Sequence, residues 1–118
     1  MRGKRFSVGL KATLAVFTVT LFVTGIAASQ EKVLHSFNKT DGANPYASLI
    51  SDHAGNLYGT TYAGGAYGYG TAFELRPKSG GGWTEKVLHS FNTTDGANPY
   101  ASLTFDSAGN LYGTTEKG

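Results

Sequence analysis

From Glu31 onward the apolar residues come in short runs cut by turn-forming residues. "EKVLHSF" (31–37) mixes β-branched, aromatic and long apolar side chains and predicts a strand. "TDGANP" (40–45) carries Gly, Asn and Pro in turn positions. "YASLIS" (46–51) predicts a second strand, and "DHAGN" (52–56) a tight turn whose Gly-Asn pair tolerates positive φ. "LYGTTY" (57–62) predicts a third strand and "AGGAYGYG" (63–70) a glycine-rich loop. "TAFELR" (71–76) alternates, with Thr71, Phe73 and Leu75 on one face and Ala72, Glu74 and Arg76 on the other. "PKSGGG" (77–82) is a loop, and "WTEKVLHSF" (83–91) opens the next unit. No stretch after Gln30 shows an i, i+3, i+4, i+7 apolar stripe, so almost no helix is expected there.

The pattern repeats. Glu31–Gly64 and Glu85–Gly118 differ at six positions: Lys39/Thr93, Ile50/Thr104, Ser51/Phe105, His53/Ser107, Tyr62/Glu116 and Ala63/Lys117. A repeat of this length signals an array, a solenoid or a propeller. Four antiparallel strands per repeat form a sheet that cannot bury both faces alone, and radial stacking would cover them. The expected fold is therefore all-β: four-stranded antiparallel blade-like repeats of a β-propeller, incomplete at about one and two-thirds repeats. A β-solenoid is the runner-up, although its coils are usually shorter. The expected organisation is residues 1–29 as leader, 30–84 as the first repeat and 85–118 as a shortened second one.

The beginning of the chain reads differently. "MRGKRFSVGLK" is basic, "ATLAVFTVTLFVTGIAA" (12–28) is uncharged and largely apolar, and "GIAASQ" ends in small residues. That is the layout of a helical secretory signal peptide, with cleavage expected after Ala28 or Ser29, or after Ala27. A retained anchor is the alternative, but the apolar run is at the lower limit for a membrane span. The leader would engage the export machinery and make the protein secreted or surface-located. It also explains the charge. Arg2, Lys4, Arg5 and Lys11 supply the formal +2; from Gln30 onward acids outnumber bases, which argues against a nucleic-acid partner. The absence of cysteine excludes disulfides and thiolate metal sites.

The ordered motifs "AGNLYGTT", "GTAFEL" and "EKVLHSF…DGANPYASL" resemble the GloVer tandem-repeat family of exported bacterial proteins, also described as choice-of-anchor repeat proteins. The resemblance spans Glu31 to Gly118. It implies propeller-like repeats in long arrays, often followed by a C-terminal surface anchor, a bacterial source, and no catalytic residues to carry over. "AGNLYGTT" is also similar to the strand-turn motif of NHL-type propeller blades, a likeness of fold alone. Against the family pattern this sequence is short, and the second unit lacks its "GTAFEL" strand. A closed propeller needs at least four blades. The chain is therefore expected to be the N-terminal fragment of a longer array, or a truncated product. Its open sheet edges are expected to promote self-association.

Candidate chemistry is sparse. His35 and His89 are equivalent residues of two copies, and a metal site needs converging ligands. Neighbouring Ser36 and His35 point to opposite faces of a strand, which disfavours a triad with Asp41. "DGAN" and "DHAGN" offer oxygens for calcium, but turn chemistry explains the same residues. "AGGAYGYG" lacks the ending and following helix of a phosphate loop. No metal and no cofactor are expected. The binding candidates are Asp41, Asn44 and Tyr46 with their equivalents Asp95, Asn98 and Tyr100, as one polar-aromatic cluster per blade on a common rim. Tyr62, Tyr67 and Tyr69 join them as aromatic faces for a sugar; packing between blades is the plainer role for these rings. Trp83 reads as packing. The expected function is a non-catalytic exported repeat module for binding or cell-surface architecture, its partner a glycan or a surface protein. The alternative is the scaffold part of a secreted carbohydrate-active propeller enzyme. A gene remnant without function is the third reading.

Overall fold

The computed structural model describes residues 31–118; the predicted signal peptide lies outside them. The described residues are all-β. Strands β1 (Ile50–Ser51), β2 (Leu57–Thr61), β3 (Thr71–Pro77) and β4 (Trp83–Ser90) form one antiparallel sheet in the order β1-β2-β3-β4. Strands β5 (Ala97–Pro99) and β8 (Thr115–Lys117) pair with each other, as do β6 (Thr104–Phe105) and β7 (Leu111–Tyr112).

The four-strand unit is present, but its frame differs from the expected one. Glu31–Phe37 forms no strand, whereas the identical residues 85–90 lie within β4 and close the first sheet. The physical reason is the neighbour. β4 pairs with β3 from Pro77↔Trp83 to Thr71↔Ser90, while no described strand lies beside Glu31–Phe37. Of the expected strand 46–51, only Ile50–Ser51 is regular, because β2 pairs with those two residues alone.

Alternation builds the core. Thr71, Phe73 and Leu75 are buried on one face of β3 as expected, against Leu57, Gly59 and Thr61 of β2. Leu49, Leu57, Phe73 and Leu75 form the centre, with Leu34, Phe37 and Trp83 packed around it. The Phe37 ring meets Phe73 edge-on at 4.9 Å, a favoured aromatic geometry. Gly59 is required beneath them: a Cβ there would lie 2.6 Å from Leu49 Cδ2 and 2.8 Å from Phe73 Cζ. So Leu34 and Phe37 serve the first core without being part of a strand.

The opposite face is covered too. The second copy's Phe105 packs edge-on against Tyr58 at 5.3 Å. Glu74, on the face opposite Phe73, is only 3% exposed. A buried carboxylate needs partners. Glu74 Oε2 accepts from the Tyr58 hydroxyl at 3.0 Å and from Arg76 Nε at 3.0 Å. Near Ala72 and Phe73 the pairing slips by one residue, leaving Leu88 unmatched in a bulge. The bulge comes where β4 stops serving the first core and turns toward the second copy.

The loops repeat with the sequence. Asp52 Oδ1 accepts from the amides of Ala54 and Asn56, and Oδ2 accepts from Asn56 Nδ2 and the Tyr58 hydroxyl. Asp106 makes the equivalent four bonds with Ala108, Asn110 and Tyr112. These turns use the acidic oxygens that the sequence had offered to calcium.

Candidate functional site

The DGANPY segments carry the predicted binding residues, and their backbone explains what each can do. Asn44 and Asn98 hold φ of 60° and 59°, a left-handed conformation that Asn tolerates better than most residues. The Asn44 carbonyl accepts from the Tyr62 amide at 2.9 Å. Asn98 ties the two copies together: its amide donates to the Tyr69 carbonyl at 2.8 Å and its Nδ2 to the Tyr62 carbonyl at 2.9 Å. Asp41 and Asp95 turn into their own loops. Asp41 Oδ1 accepts from the Asn38 amide, and Asp95 Oδ1 from the Asn92 amide. That backbone bond, aided by His89, holds the Asp95 carboxyl below its usual range.

The tyrosines do converge. Tyr46 and Tyr100, equivalent residues of successive copies, have ring centroids 5.4 Å apart. Tyr62 lies 5.6 Å from the first and 5.7 Å from the second. Tyr46 and Tyr100 are each 59% exposed, so the cluster is a surface patch rather than a core. The Tyr62 hydroxyl donates to Glu116 Oε1 at 2.7 Å, which raises the Tyr62 pKa. Glu116 replaces tyrosine at the equivalent position of the second copy, so one substitution between copies becomes a bond between them. Tyr67 and Tyr69 are also exposed, on the glycine-rich loop, and neither stacks on this trio.

A second cluster was not legible in the sequence. His35 Nε2 donates to Asp41 Oδ2 at 2.8 Å. Glu85 of β4 joins them, and one ligand atom from each residue lies within 4.8 Å of the others. Glu85 Oε2 is buried without a hydrogen-bond partner. Burial, and then the Asp41 charge, push the Glu85 carboxyl above its usual range against the opposing pull of His35. One imidazole and two carboxylates are a donor set that a divalent transition metal accepts. Histidines of different copies do not meet here; the convergence comes from a glutamate of the following copy. Only the pairing of β4 with β3 carries it there. In the second copy His89 and Asp95 form the same pair at 2.6 Å.

Four consecutive antiparallel strands, a doubled set of turns and equivalent rings meeting across the junction define a tandem-repeat all-β protein. The chain belongs to the Gloeobacter/Verrucomicrobia repeat family, whose sequence model matches residues 15–118. No curated protein and no solved structure matches it.

Proposed function

We propose that this chain is an exported, non-catalytic repeat module that binds a glycan through a rim of tyrosines, its repeats arranged as propeller blades. The observation that carries the reading is the contact between Tyr46 and Tyr100. Equivalent side chains of successive repeats meet, and both remain exposed, so each added repeat would extend one aromatic surface. Tyrosine suits a sugar: its ring covers the apolar face, and its hydroxyl reaches the rim of hydroxyls. The radial arrangement is supported by strands that pair consecutively within one sheet. In a solenoid, strands would instead pair with their equivalents in the next coil.

The test is a glycan array probed with the full chain, followed by Tyr100→Ala. The expected result is retention of a defined polysaccharide class and at least a tenfold loss of affinity in the variant, with an unchanged melting temperature. Failure to retain any glycan, or equal binding by the variant, rejects the reading. Turnover of the retained polysaccharide would assign catalysis instead. Export is checked separately: the N-terminus of protein recovered outside the cell is expected at Ser29 or Gln30.

A further inference from the structure

His35, Asp41 and Glu85 meet where the loop of the first copy faces the start of β4. Each is held there by different means. Asp41 is fixed by its own loop: its Oδ1 accepts from the Asn38 amide at 2.9 Å, while Asn38 Oδ1 accepts from the Thr40 and Asp41 amides. The His35 ring lies edge-on to Phe37 at 4.7 Å, and Phe37 packs on Phe73 of the core. Glu85 stands opposite Leu75 in the β3–β4 ladder, two residues after Trp83, which packs against the same core.

The meeting is costly as plain packing. It brings two carboxylates together, and Glu85 Oε2 is buried with no hydrogen-bond partner among the described residues. A buried polar oxygen needs a partner, and a charged one needs it most. A cation offsets both costs at once. The distances suit one. Zinc bonds of roughly 2.0–2.1 Å set tetrahedral ligand atoms about 3.3 Å apart. His35 Nε2 and Asp41 Oδ2 are 2.8 Å apart, and the ligand atoms of the three residues all lie within 4.8 Å of one another. Closing the widest gap takes a shift of at most about 1.5 Å, within reach of the rotatable Glu85 side chain.

We propose that His35, Asp41 and Glu85 form a binding site for a divalent transition metal of the zinc class, which fastens the loop of the first copy to the strand that opens the second. The imidazole sets the class, because calcium and magnesium take oxygen ligands. On binding, the His35 Nε2 proton that is donated to Asp41 is released to solvent. Three ligands from the chain leave a fourth tetrahedral position for water. No tyrosine of the rim takes part, so the site stands or falls independently of glycan binding.

The probe is zinc itself, titrated calorimetrically into the metal-free full chain, with calcium as the comparison. Saturable zinc binding is expected, at least tenfold tighter than calcium, with a melting temperature that rises as zinc fills the site. Glu85→Gln keeps the shape of the side chain and removes its charge. It is expected to weaken zinc binding at least tenfold, while its metal-free melting temperature is no lower than that of the wild type. His35→Ala, on irregular chain outside the sheet, is expected to show the same loss and serves if the first variant folds poorly. Unchanged zinc affinity in either folded variant would overturn the proposal. So would calcium binding as tight as zinc binding, or no saturable binding of zinc.

Discussion

Glu31–Phe37 and Glu85–Phe91 are the same seven residues in two states. The second lies largely within an eight-residue strand; the first follows the core as irregular chain. Yet both direct their Leu and Phe toward the unit that follows: Leu34 and Phe37 toward Phe73, Leu88 and Phe91 toward the cavity they line with Leu103, Leu111 and Gly113. The segment thus has two separable roles. Its apolar contacts are local in their logic and recur in both copies. Its strand character is conditional, because a ladder requires a partner edge, and β3 provides one only for the second copy. Strand propensity describes how well a residue fits such a surface; it does not supply the surface.

The sharpest way to break this comparison is to remove the side chain toward which Leu34 and Phe37 point. Phe73→Ala is expected to cost about 3–5 kcal/mol, the usual range for a buried aromatic. Leu103→Ala, beside that cavity, is expected to cost less than the equivalent Leu49→Ala, which falls in the range of about 2–5 kcal/mol. Urea unfolding of the three variants checks the order. Equal losses for Leu49 and Leu103 would show the two cores to be equally packed.

The tyrosine pair gives a smaller contrast. Tyr58→Phe removes a donor from buried Glu74 and is expected to cost about 1–3 kcal/mol. Tyr112→Phe, at an exposed hydroxyl with Asp106 as its acceptor, is expected to cost a few tenths of that. Differential scanning calorimetry separates them, and similar shifts in melting temperature would argue that Glu74 does not depend on Tyr58.

The acidic turns are expected to behave alike despite this. Hydrogen bonds from Asn110 and Tyr112 lower the Asp106 carboxyl to about 2. Burial raises that of Asp52, but bonds from Asn56, Tyr58 and Ala54 outweigh it and leave it below its ordinary value. In both cases the unfolded chain binds the proton more readily. The stabilisation is present above the unfolded value near 3.8 and is lost as pH falls toward the folded one, reached near 2 for Asp106. Asp106→Asn is expected to flatten that part of the stability–pH curve. A curve that keeps its wild-type slope would rule Asp106 out as a contributor.

The smallest expected effect is at the loop position where the copies differ. Lys39 and Thr93 both sit at left-handed φ, 77° and 76°. A β-branched residue suits that region poorly, and Asn tolerates it. Thr93→Asn is expected to stabilise by up to about 1 kcal/mol, while Lys39→Asn gains less; chemical denaturation of both tests the difference.

Much of the fold was legible because its signals are local. The alternation put Thr71, Phe73 and Leu75 on one face of β3, and the Asp-x-x-Gly-Asn stretches marked the turns. Less of the site could be read. The meeting of Tyr46 with Tyr100 needed the junction geometry, and the approach of Glu85 to His35 and Asp41 needed strand pairing. Alternation placed Glu74 with Ala72 and Arg76 but could not show that Glu74 is buried while Arg76 stays exposed, because that depends on the Tyr58 hydroxyl and on Phe105 of the second copy packed against Tyr58.

By itself the sequence determined the all-β composition, the repeat, the turns and the alternating faces of β3. These follow from side-chain volume, branching and backbone preference over a few neighbours. Only the tertiary structure decided the frame of the sheet, the fate of each EKVLHSF segment, the tyrosine patch and the meeting of Glu85 with His35 and Asp41. Those depend on which distant edge or face lies alongside, and identical residues answer differently when one copy has a partner strand and the other has none among the described residues.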